Sequence, residues 1–323
     1  MRVVVLAGGV GAARFLRGLV EVVAPEDVTA IVNTGDDTVF HGLHVSPDLD
    51  TVTYTLAGAI NPETGWGLVG ESWSAMDALR RYESAGALTW FNLGDRDLAT
   101  HLFRTDRLRH GDTLSTVTDA IRRAWDVGVR LLPMTDDPVS TRVRTADGVL
   151  GFQQYFVGRH HDIAVSEIIL DGIESARPGA DVIGAIESAD AIVIAPSNPL
   201  VSIGPVLAVA GIRDALIARR SAVCAVSPII GGAALKGPAD RMLVELGHES
   251  SAVGVARLYA PFCSSLVIDT VDAALATAVD ALGVRAVVTD TIMARPGVGA
   301  SLAKACLAAC GLATWSTSVG PLV

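Results

Sequence analysis

Apolar residues in this chain fall into short β-branched runs, separated by longer stretches in which they recur every three or four positions. The runs stand at 2–7 (RVVVLA), 28–33 (VTAIVN), 190–195 (DAIVIA), 221–227 (SAVCAVS) and 265–269 (SLVID). Each has the length and composition of a buried strand. After the first run, Phe15, Leu16, Leu19, Val20 and Val23 keep helical spacing, with Arg14 and Arg17 off that stripe. "GPVLAVAGIRDALIARR", at 204–220, likewise reads as one helix. Strands alternating with helices predict right-handed βαβ crossovers, hence an α/β fold with a Rossmann-like, doubly wound parallel sheet.

The pattern changes between about 60 and 180. Helical stretches at 71–83 and 113–126 precede two alternating runs, "TRVRT" and "VLGFQQYFV", which flank Asp147-Gly148. Asp-Gly between alternating runs predicts a hairpin. The expected organisation is a nucleotide-binding core of residues 1–60 and 181–323, with 61–180 as an α+β insertion over the ligand edge of the sheet. In such sheets ligands bind outside the carboxyl ends of the strands, near the point where strand order reverses.

Two segments imitate membrane signals. The start "MRVVVLAGGVGAARFLRGL" has a basic residue, an apolar run and small residues, but glycines interrupt the run after Ala7, so strand, turn and helix is the better reading than a secretion signal. Residues 191–212 carry no charge, yet Pro196, Pro199 and Pro205 with Ser197, Asn198 and Ser202 break any continuous helix. No membrane span is expected, and the location expected is cytoplasmic.

Half of the 323 residues are hydrophobic and only 5% are aromatic, a composition suited to a parallel sheet buried on both faces. The formal charge of −10 argues against a nucleic-acid binder, which needs a basic face. Anionic ligands must then be held by backbone amides, isolated arginines or a metal. Cys224, Cys263, Cys306 and Cys310 show neither a disulfide framework nor zinc spacing; Cys306 and Cys310 read as buried positions of an Ala-rich helix.

Candidate chemistry collects just after the strands. Gly8, Gly9 and Gly11 would let backbone amides and a helix N-terminus approach a phosphate. A dinucleotide fingerprint would place glycine where Arg14 stands and an acid where Asn33 stands, and no Gly-Lys-Ser/Thr is present. After the second strand, "NTGDDTVFHGLHVSPDLDT" carries Asp36 and Asp37, then Asp48 and Asp50. Two acid pairs repel one another unless a cation joins them, and with a phosphate loop adjacent magnesium is the economical choice. Asp95, Arg96 and Asp97 precede a helix with His101 and Arg104. Asp97 reads as a cap, His101 as a packing residue, and either Arg96 or Arg104 as an anion contact. "LLPMTDDPVST" adds Asp136 and Asp137. The strand exits Ser197-Asn198-Pro199 and Ser227-Pro228 present short polar groups on rigid turns to a base or ribose.

Together "GGVGAARFLRGL", "NTGDD…HGL…SPDLDT", "WFNLGDRDLATH", "LLPMTDDPVST", "APSNPLVSIGP" and "SPIIGG" closely resemble the 2-phospho-L-lactate transferases and actinobacterial phosphoenolpyruvate transferases of coenzyme F-420 biosynthesis. The motifs run from residue 3 to about 240, with "AVVTDTIM" beyond them. The resemblance implies that a guanosine diphosphate-linked lactate or enolpyruvate gives its phosphoacid part to the deazaflavin Fo, releasing GMP, with Mg2+ assisting. It implies a homodimer. Asp50 matches the family's Fo-contacting aspartate, and Asp48 is the next catalytic candidate; Asp37, Asp48 and Asp50 are the expected metal ligands. Asn92 stands where the family is often basic. The expected contacts to Fo and donor comprise Asp50 and Asn92 with the glycine turn, Asn33, Asp36, Asp37 and Asp95. Arg96, Asp136, Asp137, Ser197, Asn198, Ser227 and Pro228 complete them. The alternative is a non-catalytic sugar-nucleotide-binding regulator of the gluconeogenesis-factor type, whose acidic pair is followed by a glycine- and serine-rich segment in place of "SPDLDT".

Overall fold

In the computed structural model, which describes residues 1–312, seven parallel strands form one sheet. In chain order they are β1 (Val3–Ala7), β2 (Val28–Val32), β3 (Arg130–Pro133), β4 (Ala191–Ile194), β5 (Val223–Val226), β6 (Ser265–Asp269) and β7 (Arg285–Thr289). Their order across the sheet is β7-β6-β5-β4-β1-β2-β3. The chain winds outward from β1 through β2 to β3, then returns beside β1 with β4 and winds the other way. Strand order therefore reverses between β1 and β4.

All five expected runs form strands of this sheet. Their side chains alternate between two cores, as a sheet covered on both faces requires. Val3, Val5 and Ala7 pack with Phe15 and Leu16 of α1 (Gly9–Leu19), whereas Val4 and Leu6 pack with Ile203 and Val206 on the opposite face. Two further strands escaped the sequence pattern. β3 is only four residues long, and β7 is half exposed on the sheet edge. β3 lies within 61–180, so that segment supplies an edge strand of the central sheet.

Local differences from expectation have local causes. The run 204–220 is two helices, Ile203–Ala208 and Ile212–Ala218, because Gly211 takes a φ of 85° between them. The hairpin at Asp147-Gly148 forms, with Ser140–Thr145 antiparallel to Gly148–Gly151. The second run does not stay extended, however: Gln154–Gly158 winds into a π-helical turn that buries Tyr155. A third strand, Val165–Asp171, pairs on the other side of Ser140–Thr145. The helix expected at 71–83 is short, Ser74–Leu79, and tightens into a 3-10 turn over Arg80–Ala85. The stretch 113–126 matches the helix Leu114–Ala124, capped by Thr113. Among the described residues, no helix is long and apolar enough to cross a membrane.

α1 crosses the helix Val298–Ala309 where Gly18 faces Gly299. A Cβ on Gly18 would lie 2.6 Å from the Gly299 Cα, and backbone cannot move aside as a side-chain tip can. Gly18→Val is expected to destabilise the chain by roughly 1–3 kcal/mol, read as a lowered midpoint in urea unfolding. An unchanged midpoint would contradict this close approach.

Candidate functional site

The strand exits at the reversal point converge on a cavity of about 680 Å³, within the size range of small-ligand sites. Its floor is the junction of β1 and β4. Ser197 Oγ donates to the Gly8 carbonyl at 2.6 Å. A Cβ on Gly8 would lie 2.6 Å from Ser202 Cβ, and one on Gly11 would strike the Pro196 carbonyl. These two glycines allow the two strand exits to touch. Gly9 has a different reason, a φ of 63°, which a side chain there rarely adopts.

Asp48 sits over this turn. It belongs to α2 (Pro47–Leu56), which begins after a small hairpin turning at His41-Gly42, and Pro47 occupies the first turn where no amide partner is needed. The hairpin brings Asp36 and Asp48 together at the cavity wall. Asn33 Nδ2 donates to Asp48 Oδ2 at 3.0 Å, and Asn33 Oδ1 accepts from the Gly35 amide. Asn33 thus fixes an acid where a dinucleotide site would itself carry one. Burial, then the charges of Asp48 and Asp37, hold the Asp36 carboxyl well above the ordinary range. Burial likewise pushes Asp48 up to about 7, against the hydrogen bond from Asn33. Asp36 Oδ1 is buried with no hydrogen-bond partner.

Asp50 faces the cavity two residues further on, on a different network. Arg104 forks onto it: Nη1 donates to Asp50 Oδ2 at 3.1 Å and Nη2 donates to Oδ1. Arg104 is fully buried, and although burial opposes its charge, Asp50 keeps it firmly cationic. Arg104 is therefore a partner of an acid rather than a contact for an anionic ligand. It belongs to α3 (Asp97–Arg109), whose buried face also carries His101. Asp50, Asp97 and His101 each offer a ligand-type atom within 4.8 Å of one another, and all three line the cavity.

Of the residues singled out in the sequence, Gly8, Gly9, Gly11, Asp36, Asp48 and Asp50 line the cavity. So do Asn92, Ser197, Asn198, Ser227 and Pro228. Asn33 stands behind Asp48. The others serve the frame. Asp37 Oδ2 is occupied by His44 Nε2 at 2.9 Å and Ser46 Oγ at 2.7 Å, away from the lining. Asp95 caps the helix Ser74–Leu79; the Ser72 hydroxyl, then the Ala75 and Ser74 amides, lower its pKa to about 2. Arg96 Nη1 donates to the Val69 carbonyl. Asp136 accepts from the Ser115 amide and Asp137 from the Arg177 amide.

Further contributors to the lining include His101 and Asp97, expected from the sequence as a packing residue and a cap. Arg14 and Lys236 are cationic side chains on the cavity wall, and Lys236 Nζ reaches the Thr64 carbonyl at 3.3 Å. The spacing of Arg14 off the apolar stripe of α1 was a usable signal. Lys236 sits in a glycine-bounded loop with no period to mark it. The late segment Thr291–Ala294 also reaches the cavity, tethered where Asp269 Oδ2 accepts from the Thr291 amide and hydroxyl.

The raised Asp48 carboxyl makes stability depend on pH. An acid whose folded pKa is about 7 against a reference of 3.8 keeps in the native state a proton that the unfolded chain loses. That contribution to stability falls as pH rises from about 4 to about 7. Asp48→Asn removes it, so the variant's Tm relative to wild type should rise between pH 5 and pH 8 in chelator. A gap that stays constant across this range would contradict the burial of a strained carboxylate here.

The sequence matches the family described as 2-phospho-L-lactate transferase CofD over residues 3–304. A phosphoenolpyruvate transferase of Kitasatospora aureofaciens is 46% identical over 314 residues, covering 95% of this chain and 97% of that one. Another, of Streptomyces griseus subsp. griseus, is 46% identical over 312 residues, covering 95% and 98%. In fold the chain resembles the crystal structure of a UPF0052 family member from Bacillus halodurans, with a TM-score of 0.62 at 16% identity, over 95% of this chain and 100% of that one. With residues 3–304 matched and near-half identity held over almost the whole length of its relatives, the chain belongs to the 2-phospho-L-lactate transferase CofD family.

Proposed function

We propose that the chain transfers a three-carbon phosphoacid group from a guanosine diphosphate-linked donor to the ribityl hydroxyl of Fo and releases GMP, within coenzyme F-420 biosynthesis. The relatives named phosphoenolpyruvate transferase favour the enolpyruvyl donor over the lactyl one. The observation that carries the reading is the convergence, in one cavity, of the Gly9 turn, the Asp36–Asp48 acid pair and an aromatic wall.

The aromatic wall suits a flat acceptor. Phe91 lines the cavity with Phe40 stacked behind it at 4.5 Å between ring centroids, and Phe152 and Phe156, also in the lining, stack at 5.6 Å. Such rings hold planar groups by offset stacking. The donor's base and ribose belong on the Ser197-Asn198 and Ser227-Pro228 turns, with its diphosphate toward Gly9, Arg14 and Lys236.

The residues present fit a magnesium ion. Asp36 and Asp48 are oxygen donors, crowded, buried and carrying an orphaned oxygen, which is the chemistry a hard divalent cation selects. Asp37 lies outside the cavity lining, with its Oδ2 tied to His44 and Ser46, and Asp50 is paired with Arg104, so Asp36 and Asp48 are the better pair. Bound there, magnesium would neutralise diphosphate charge. Asp50 accepts a hydrogen bond from the ribityl hydroxyl and orients it; each carboxylate oxygen has a lone pair left after the Arg104 fork. As the hydroxyl oxygen bonds to the acid-bearing phosphorus, the bond from that phosphorus to the bridging oxygen breaks. GMP leaves with that oxygen, and the proton passes to Asp50. Positioning does most of this work, as in other phosphoryl transfers.

Mass spectrometry of products from Fo, Mg2+ and each guanosine-linked donor tests the reading: a dehydro-type or lactyl Fo phosphodiester and GMP should appear together. No product from either donor would refute it. Asp50→Asn should lower the rate by ~10²–10⁴-fold while GDP binding, followed by calorimetry, changes little. Gly9→Val, strained at a φ of 63°, should lose GDP binding.

A further inference from the structure

Two residues on α3 stand against Asp50 without a part in the scheme above. Asp97, His101 and Arg104 lie three and four positions apart, hence on one face of the helix. That face is buried against α2, and its polar groups connect in sequence. Tyr54 hydroxyl donates to Asp97 Oδ1 at 2.7 Å and lies 2.8 Å from Thr100 Oγ1. Asp97 Oδ2 lies 3.3 Å from His101 Nε2, without the alignment of a hydrogen bond. His101 Nδ1 lies 3.3 Å from Arg104 Nη1 and 3.7 Å from Asp50 Oδ2. Since Tyr54 follows Asp50 by four positions on α2, the side chains close a ring: Asp50, Arg104, His101, Asp97, Tyr54 and back through one turn of helix. Glu71 anchors the ring's outer corner, accepting from the Arg96 and Asp97 amides at 2.8 Å.

Packing alone does not call for this ring. Burying so many ionisable groups carries a desolvation cost that an apolar filling of the same volume would avoid. One side of the ring is the cavity wall itself, formed by Asp50, Tyr54, Asp97 and His101. The Arg104 fork fixes the plane of the Asp50 carboxylate, but a guanidinium on a long stem can swing. Arg104 Nη1 also reaches the His44 carbonyl at 3.4 Å, and His101 lies between Arg104 and Asp97, against the side to which the guanidinium could turn.

We propose that His101 and Asp97 are positioning residues, which hold the Asp50–Arg104 pair so that the Asp50 carboxylate stays directed into the cavity. The kinetic half of this proposal rests on the transferase reading; the geometric half does not. The test compares wild type with His101→Leu, His101→Gln and Asp97→Asn, by crystal structure and by steady-state kinetics with Fo, Mg2+ and the enolpyruvyl guanosine donor. In His101→Leu the Asp50 carboxylate should turn from the cavity, and kcat should fall about 10–100-fold, the scale of a misplaced catalytic group. The KM for the donor should stay within about twofold, since its binding groups are elsewhere. His101→Gln, which restores a polar contact to Arg104, should recover part of kcat. Asp50 unmoved in His101→Leu, or kcat within about twofold of wild type, overturns the proposal. Should His101→Leu not fold, the isosteric Asp97→Asn decides by the same criteria. Absence of turnover in the wild type would instead refute the transferase reading, and the position of Asp50 in the variant would then decide this inference alone.

Discussion

The site depends on the contact between the exits of β1 and β4. Strand order reverses there, which leaves a crevice no crossover helix covers. The two loops meet so closely that Gly8 and Gly11 admit no side chain, and Ser197 is hydrogen-bonded to the Gly8 carbonyl. That contact sets the pose of the Gly9 turn. The turn in turn helps to hold Asp48, whose carboxylate accepts a hydrogen bond from the Gly9 backbone. Asn33, closing β2, holds the same carboxylate from the other side.

Two acidic groups of different character result. Asp36 and Asp48 are crowded, and no cationic side chain among the described residues pairs with them; burial raises both pKa values, with the charges of Asp48 and Asp37 adding to it at Asp36 and that of Asp37 at Asp48. Asp50 has its cation built in, and Arg104 is buried to provide it. Residues only two apart in sequence thus face opposite electrostatic demands. One pair has the oxygen-rich chemistry a hard divalent cation selects, while the other acid is paired with a buried arginine and oriented by it. In the proposed transfer from an anionic donor to a neutral alcohol, the first would answer charge at the leaving side and the second would accept a proton at the attacking side.

Much of this was legible in the chain. The strands of the sheet interior announce themselves because both faces are buried, and Gly8, Gly9, Asp48 and Asp50 stand where the fold predicts ligand contacts. The edge strands β3 and β7 gave little signal, since β3 is only four residues long and β7 is half exposed. Helical periodicity at 204–220 concealed the break at Gly211, and the alternation of "FQQYFV" suited a strand although its residues wind around Tyr155. His101 and Arg104 were beyond reach for another reason. Their partner Asp50 is 54 positions from Arg104, and one sequence carries no sign of a pairing at that range. The same limit made Asp37 look equivalent to Asp36, though a hairpin turn gives the first to His44 and the second to the cavity.

The central claim is that Asp36 and Asp48 form the cation seat beside the Gly9 turn. A crystal structure of the protein with GDP and Mn2+ tests it most directly, because manganese is located by its own anomalous scattering. The account predicts a peak bridging Asp36, Asp48 and the diphosphate, with Asp50 still paired to Arg104. A peak at Asp37, or one held by Asp50, Asp97 and His101 with Arg104 displaced, would contradict it.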